Sequence, residues 1–301
     1  MRDAWKLTVS RMRLALRNRA FLFFSLIMPI ALLFIYAGIF GRGDNRQALP
    51  YLLAAVLALT VMGSFWGLSV QLVMFREQGI LRRFRLTPVG ASAMLLSSVL
   101  SNYVLTLPTI VIEFFLARWV FHMSGLGNLA GVFVLITAGT ISFASLGLIV
   151  ASVTNTMQET QVINQVIWFV FLFLSGATIP LPLLPGFVQD LALYLPATYL
   201  VSGLQRAMID HVGPASLGAE LASMMGCALI ALTISAQLFR WDPETKAPRR
   251  AKLWAAAAII PFLLLGAWET ANGRLRSHAN SSFRSIMQPS SGAGEPELPP
   301  R

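Results

Sequence analysis

The three histidines and the single cysteine are the side chains of this 301-residue sequence best suited to catalysis or metal binding. His122, His211 and His278 are far apart, and Cys227 lies in an apolar run. A zinc hydrolase would need H-E-x-x-H and a serine hydrolase G-x-S-x-G, and the chain contains neither pattern. The sequence therefore predicts no catalytic residue, no metal site and no disulfide framework.

Nucleotide chemistry would need a phosphate-binding loop, G-x-x-x-x-G-K-[ST], in which a lysine follows a glycine. The chain has only three lysines, Lys6, Lys246 and Lys252, and none of them follows a glycine. The sequence therefore predicts no nucleotide site. The net charge of +10 does not predict nucleic-acid binding either, because the basic residues lie in short segments between apolar runs and form no single basic domain.

Glu113 is a carboxylate inside a long apolar run. A charge at membrane depth is unfavourable enough that such a residue is a functional-site hypothesis. Because Glu113 is near the predicted outer end of its run and five residues before Arg118, we expect a partly hydrated glutamate at the membrane interface. The alternative is a group in a transport pathway or proton relay.

The apolar residues determine the predicted fold. They make up 56% of the chain, against roughly 45–50% in a soluble domain, and they form runs of the roughly 20 residues that span a bilayer. We predict an all-α polytopic membrane bundle. Its six core transmembrane helices are predicted at residues 21–40, 50–74, 92–117, 128–151, 162–180 and 217–239. A shorter stretch, Leu253–Trp268, carries Pro261 and is a candidate seventh span.

The basic residues are distributed unequally between the connections. Fifteen fall in segments that share one side of the membrane if the N-terminus is cytoplasmic, and four fall on the other side. The first group of segments is 1–20, 75–91, 152–161 and 240–252, and the second is 41–49, 118–127 and 181–216. An excess of lysine and arginine marks cytoplasmic segments, so the sequence predicts a cytoplasmic N-terminus.

Two basic segments could have a role beyond topology. Residues 3–19 have apolar and basic stripes at helical spacing and predict an interfacial helix; the alternative is a plain basic lead-in to the first span. The connection Arg76–Pro88 predicts a short amphipathic helix, with apolar residues at 80, 81 and 84 and arginines facing away from them. Binding of this basic cluster to anionic membrane lipid is the alternative.

The segment from Ser175 to Arg206 is too apolar for an ordinary loop and too interrupted by proline for a full span. Irregular backbone at membrane depth must be buried in protein or line a cavity. We therefore predict a re-entrant or interfacial helical hairpin on the outer side, with a surface loop as the alternative. Residues 270–301 are rich in Ser, Gly, Pro and Asn and predict a disordered tail.

These features resemble the membrane permease subunits of ABC-2 type exporters, which include bacterial drug, polysaccharide and lipo-oligosaccharide exporters. The resemblance covers roughly residues 1–240, and it is most specific around the fifth span and the outer hairpin. The residues that carry it are Leu174-Ser175-Gly176-Ala177, Leu184-Pro185, Pro196-Ala197-Thr198-Tyr199, and Gln205 with Arg206. Ala197 departs from the pattern, which usually has a larger apolar residue or threonine.

The resemblance implies a division of the chain into four parts. Residues 1–20 would be an amphipathic elbow helix, and 21–240 the six-helix transmembrane domain. Residues 241–269 would hold a basic linker with the candidate seventh helix, and 270–301 the tail. The ATPase-coupling residues would be Glu77, Gly79, Arg82, Arg83 and Arg85, and the outer hairpin signature residues Ser175, Gly176, Pro185, Pro196, Tyr199 and Gln205.

The resemblance also implies partners. An ABC ATP-binding subunit would bind ATP and Mg²⁺, so this chain would need no cofactor of its own. Two permease subunits, identical or different, would assemble in the lipid of the bacterial plasma membrane. The expected function is export of an amphipathic molecule, whether drug, lipid or glycan. The alternative is an ion- or proton-coupled carrier or channel without an ATPase, with Glu113 as the titrating group.

Overall fold

The computed structural model describes residues 48–85, 90–123, 125–241 and 260–273, together with 27, 29–36, 38, 275, 277, 279 and 280. All regular structure in these residues is helical. The helices are α1 Ala48–Glu77, α2 Ile80–Arg85, α3 Ala91–Trp119, α4 Leu129–Val153, α5 Met157–Leu174, α6 Gly186–Ala192, α7 Pro196–Ile209, α8 Gly218–Leu238 and α9 Ile260–Asn272. Two short 3-10 helices, Leu181–Leu183 and Pro214–Leu217, precede α6 and α8.

Four helices among the described residues are long and apolar enough to cross a membrane, namely Leu49–Glu77, Ala91–Trp119, Leu129–Val153 and Pro214–Leu238. They match the second, third, fourth and sixth predicted spans. The fifth predicted span, 162–180, corresponds to α5, which begins five residues earlier and ends at Leu174. The first is described only at 27, 29–36 and 38, which are helical. The chain is an all-α polytopic membrane bundle, as the apolar runs predict.

Helix α1 is the centre of the bundle and contacts α3, α4, α5 and α7. The α1–α4 contact is close because α4 has a glycine there. A Cβ atom built on Gly147 would lie 2.3 Å from the carbonyl oxygen of Phe65 in α1, so no side chain fits at this position. Small residues allow such backbone approach between membrane helices. Phe65, Phe143 and Phe171 pack edge to face around this contact, with ring centroids 5.4 and 5.9 Å apart.

The bundle has two ends of different chemistry. We call the end with the last turn of α1, helix α2, the α4–α5 connection and Arg240 the basic end. We call the opposite end, with Leu181–Leu183, α6 and the start of α7, the hairpin end. Helices α1, α4 and α8 run from the hairpin end to the basic end, and α3 and α5 run back.

The two ends of the predicted domain organisation, the elbow helix and the tail, lie largely outside the described residues. The elbow helix, residues 1–20, lies outside the described residues. The prediction that a disordered tail begins at residue 270 is wrong at its start, because α9 continues to Asn272 and Leu275 is buried at 4% exposure. Residues 281–301 lie outside the described part.

Candidate functional site

The predicted coupling region is a turn between two helices at the basic end. Helix α1 ends at Glu77, and the backbone reverses through Gly79, whose φ of +68° lies in the left-handed region that favours glycine. The following helix α2 has Leu81 buried, whereas Arg82 and Arg83 are exposed. The predicted amphipathic helix is therefore confirmed at these positions. The side chain of Arg85 lies outside the described residues.

Arg76, in the last turn of α1, is almost completely buried, at 3% exposure. Its guanidinium donates to the carbonyl oxygens of Ala151 (2.8 Å) and Thr154 (2.7 Å). The last carbonyls of a helix have no partner within the helix, and the helix dipole makes this end negative. Arg76 thus supplies hydrogen-bond donors to the carbonyls at the end of α4 and joins this end to α1.

Arg240, just after α8, binds the same turn from another direction. It donates to the carbonyl oxygens of Ser152 (3.1 Å) and Thr154 (2.6 Å) and to Oδ1 of Asn155 (3.0 Å). Burial lowers the pKa of the Arg240 guanidinium, and the charge of Glu159 opposes this shift. Arginine is so strongly basic that the group stays charged. We call residues 151–155 the arginine-bound turn.

The first turn of α5 completes the basic end. Thr156 is its N-cap, and the hydroxyl accepts a hydrogen bond from the backbone N–H of Glu159 (3.1 Å). The Glu159 carboxylate accepts from the backbone N–H of Asn155 (2.7 Å), in a variant of the capping box. Glu77 accepts from the backbone N–H of Met157 (2.7 Å). The coupling region is therefore attached to α4, α5 and α8 through Arg76, Glu77 and the arginine-bound turn.

The hairpin end is built on glycine and proline. Helix α5 ends at Leu174 with Ser175 as its C-cap, and Gly176 follows with a φ of +85°. Pro185 is the N-cap of α6, and Pro196 is the first residue of α7, where a missing N–H leaves no helical bond unmade. Helix α7 is buried along most of its length and contacts α1, α4 and α8, with Tyr199 in the core. The stretch before α7 is more exposed, with Leu183 at 59% and Phe187 at 76%, so the re-entrant hairpin stays a prediction.

Three of the signature residues, Ser175, Gly176 and Gln205, meet in a small cleft at the hairpin end. Pro185, Pro196 and Tyr199 do not line it and instead begin helices or fill the core. The other lining residues are Tyr51, Leu181, Pro182, Thr198, Val201, Ser202, Leu275 and Ala279. The described residues that line the cleft contribute hydroxyls, an amide and apolar groups. Gln205 is buried, and its Nε2 has no hydrogen-bond partner among the described residues.

A family model for ABC-2 type transporters matches residues 3–209, which include both the coupling region and the signature residues. The chain belongs to the ABC-2 type transporter family. It is 26% identical over 210 residues to YvfS of Bacillus subtilis, named as a transport permease, and 24% over 181 residues to the linearmycin resistance permease protein LnrN of the same organism. It is 28% identical over 145 residues to ABC transporter G family member 20 of Dictyostelium discoideum.

These matches cover 66%, 60% and 48% of the ABC-2 chain, respectively. The chain spans 82% of the length of YvfS, but only 45% of LnrN and 20% of the Dictyostelium protein. The family match ends at residue 209, at the end of α7. Helices α8 and α9 therefore lie beyond the matched region.

The hairpin end of this ABC-2 chain also contains an ion pair that the signature does not predict. Arg206, near the end of α7, pairs with Glu220 in the first turn of α8 and donates to the carbonyl oxygen of Ser216 (3.2 Å). Glu220 is buried, at 3% exposure. The carboxylate balances the arginine, whereas Arg76 and Arg240 at the basic end donate to backbone carbonyls.

Glu113 lies elsewhere in the ABC-2 fold, between α3 and α1. The expectation that it is partly hydrated is wrong, because its exposure is 0%. Thr60 of α1 donates a hydrogen bond of 2.5 Å to its Oε1, and its Oε2 has no partner among the described residues. Arg118 does not pair with it and donates instead to the carbonyl oxygen of Met123 (2.7 Å). Glu113 is buried because α3 packs against α1 with the face that carries this residue.

Sequence reasoning missed the arginine-bound turn of this ABC-2 chain. Arg76 and Arg240 count in the sequence only as topology charges, because their partners are 75 to 88 residues away. The one local signal is Thr156-Met157-Gln158-Glu159, a capping-box pattern that marks the start of α5. No comparable signal indicates that Tyr51, Ser202 or Leu275 lines the cleft.

Proposed function

We propose that this chain is the membrane permease subunit of an ATP-driven exporter, and that a separate ABC ATP-binding subunit binds and hydrolyses ATP with Mg²⁺. The observation that carries the proposal is the construction of the basic end. Arg82 and Arg83 are exposed on α2, whereas Arg76 and Glu77, a few residues away, are hydrogen-bonded to the end of α4 and the start of α5. A partner that pulls or pushes α2 would therefore act on the whole bundle.

In this proposal the basic end faces the cytoplasm. Arginines at this end exceed those at the hairpin end, and cytoplasmic segments of plasma-membrane proteins carry such an excess. ATP is cytoplasmic, so an ATP-binding partner also meets the chain on that side. The hairpin end then faces outward, and transport toward it is export.

Arg82, Arg83 and Arg85 contribute charge and contact surface toward the ATPase, and they take no part in chemistry. Gly79 allows the reversal that presents α2. Glu77 carries the displacement to α5 through the backbone N–H of Met157. Arg76 carries it to α4 through the carbonyls of Ala151 and Thr154. The contacts of Glu77 and Arg76 cross between helices, and they support the coupling role more directly than exposed charge alone.

Two copies of the permease, or one copy and a related chain, would enclose the pathway, and membrane lipid would cover the remaining apolar surface. The transported molecule is amphipathic in this proposal, because the hairpin cleft combines apolar groups with uncharged hydrogen-bonding groups. The name of one relative refers to linearmycin resistance, which supports a drug as the first class to test. The family match also favours this mechanism over an ion-coupled carrier.

The test uses the full chain co-expressed with the candidate ATP-binding subunit. Arg83→Glu reverses one exposed charge at the basic end, and Arg118→Glu makes the same change at the hairpin end, where no ATPase should bind. We expect Arg83→Glu to reduce co-purification of the ATPase and the stimulation of ATP hydrolysis, and Arg118→Glu to leave both unchanged. Equal effects of the two variants would contradict the proposal.

Glu77→Gln separates binding from transmission. Since Glu77 faces Met157 within the chain, we expect the complex to form while transport per ATP hydrolysed falls. Reconstitution of the chain alone measures the ion-coupled alternative. Transport without ATP in liposomes that is abolished by Glu113→Gln would support that alternative and refute the ATP-driven proposal.

A further inference from the structure

The chain after α8 returns from one end of the bundle to the other. Arg240 is at the basic end, where it binds Ser152, Thr154 and Asn155. Leu275 is at the hairpin end, where it lines the cleft with Gly176 and Leu181. Arg240 and Leu275 therefore lie at opposite ends of the bundle. Helix α9 lies between them in the sequence, and its 13 residues cover about 20 Å.

Helix α9 is packed closely against the hairpin. It contacts α6 and α8, and a Cβ atom built on Gly266 would lie 2.2 Å from the ring of Tyr194, which is in the connection between α6 and α7. The absence of a side chain at Gly266 is what allows this contact. Close approach of this kind through a small residue is typical of helix interfaces within membranes.

The end of α9 turns so that the following residues cover the cleft. Gly273 has a φ of +62°, and its N–H donates to the carbonyl oxygen of Glu269 (2.7 Å), as at many helix C-termini. The Glu269 side chain is buried at 0% exposure and accepts a hydrogen bond from the backbone N–H of Leu275 (2.6 Å). Leu275 is thereby held against the cleft, and Ala279 lies at its edge. Glu269 is thus a buried carboxylate that holds this turn.

We propose that the chain crosses the membrane a seventh time through α9, and that α9 from Gly266 onward, with Gly273, Leu275 and Ala279, forms a lid over the cleft at the hairpin end. We call these residues the C-terminal strap. The strap lies beyond residues 3–209, which the family model matches. It closes the cleft with an apolar side chain, Leu275, above the buried amide of Gln205. Its role as a gate rests on the proposed export function, whereas its topology and its docking do not.

Topology is tested by labelling single cysteines with a membrane-impermeant maleimide in intact cells, on a Cys227→Ala background. Asn280→Cys reports the end of the strap. Ala215→Cys marks the hairpin end, and Gln158→Cys marks the basic end. We expect Asn280→Cys to be labelled from the same side as Ala215→Cys. Labelling from the side of Gln158→Cys would return the count to six spans and overturn the proposal.

Docking is tested by a short bifunctional thiol reagent applied to the pair Leu275→Cys and Leu181→Cys. Both positions line the cleft, so we expect a cross-linked peptide within one chain, identified by mass spectrometry. The pair Leu275→Cys and Gln158→Cys joins opposite ends of the bundle and is the control. Equal yields from the two pairs would contradict docking of the strap on the cleft.

Closure is tested by the labelling rate of Ser202→Cys, which lines the cleft. Gly266→Ala places a methyl group against the Tyr194 ring and should displace the strap, so we expect labelling to be faster by about tenfold. Gly226→Ala, in α8 with nothing within 4 Å, is the matched control and should change nothing. Tyr194→Ala added to Gly266→Ala makes room for the methyl group and should restore slow labelling.

An unchanged rate in Gly266→Ala would overturn the lid, whatever the transport assay shows. Faster labelling with unchanged ATP-driven export would retain the docked strap and refute its role as a gate. Faster labelling together with faster export would support the whole proposal. Loss of ATPase stimulation in the Arg83→Glu test described above has no bearing on these labelling results, so the two proposals fail separately.

Discussion

The basic end and the hairpin end stabilise their turns by different interactions. At the basic end, Arg76 and Arg240 donate to the backbone carbonyls of a single turn. At the hairpin end, Arg206 pairs with Glu220, and the turns depend on Gly176 and on prolines that begin helices. Two arginines thus bind backbone at the first end, whereas an arginine and a carboxylate pair with each other at the second.

In the proposed orientation, the two ends lie in different environments. Charge can remain at an end that meets water and a protein partner, and there it also sets the orientation in the membrane. An end that continues into apolar surroundings must satisfy its backbone and its charges internally. Four substitutions test the comparison, and each is measured as the free energy of unfolding of the full chain in detergent.

Arg76→Met should have the largest effect. The methionine keeps most of the apolar volume but removes two hydrogen bonds from a charged donor, each worth roughly 1.5 kcal/mol, so we expect a loss of about 3 kcal/mol. Arg83→Met is the control, because Arg83 is exposed, and it should change stability by less than about 0.5 kcal/mol. Similar stabilities for the two variants would mean that the arginine-bound turn does not hold the basic end together.

Glu220→Gln tests the balanced charge at the hairpin end. It leaves Arg206 largely buried without its counter-charge, and we expect a loss of about 2 kcal/mol, less than for a fully buried pair because the Arg206 side chain is 15% exposed. Asp210→Asn removes an exposed carboxylate nearby and should be close to neutral. A neutral Glu220→Gln would show that the hairpin end tolerates unbalanced charge as well as the basic end does.

Gly176→Ala tests the backbone of the hairpin end. The nearest atoms to a new Cβ belong to Leu181 and lie 3.7 Å away, so there is space, but the left-handed conformation should cost about 1.5 kcal/mol. Gly186→Ala, with nothing within 4 Å and no left-handed backbone, is the matched control. It should be neutral or slightly stabilising. An equal response of the two glycines would refute a conformational role for Gly176.

Thr156→Ala should have the smallest effect of the four. It removes the N-cap hydroxyl of α5 at the basic end, and we expect a loss of about 1 kcal/mol. Thr233→Ala removes a hydroxyl from the exposed middle of α8, where alanine favours the helix, and should not destabilise. If Thr156→Ala were also neutral, the arginines alone would hold the basic end.

The fold was predictable where a single segment contains its own signal. The spans that became α1, α3, α4 and α8 follow from the length of their apolar runs, and α2 follows from the spacing of Leu81 among arginines. The prolines of the hairpin predict its interruptions. In each case the physical cause acts within about 30 residues.

The sites were less predictable, because their contacts join distant segments. The carbonyls that Arg76 binds belong to α4, and their identity depends on how α1 packs. Glu113 is buried rather than hydrated for the same reason, since only the α1–α3 contact determines which way it faces. The tail prediction was wrong at its start because composition cannot indicate that Leu275 is held by the buried Glu269.

The contact between Gly147 and the backbone of Phe65 has a mechanical consequence. Two helices whose backbones touch cannot rotate or slide independently without separating first, so we expect α1 and α4 to move as one body. Helix α2 is joined to one end of that body, and Tyr51, in the first turns of α1, lines the cleft at the other. We therefore expect a displacement of α2 by a few Å to move Tyr51 and the cleft by a similar distance.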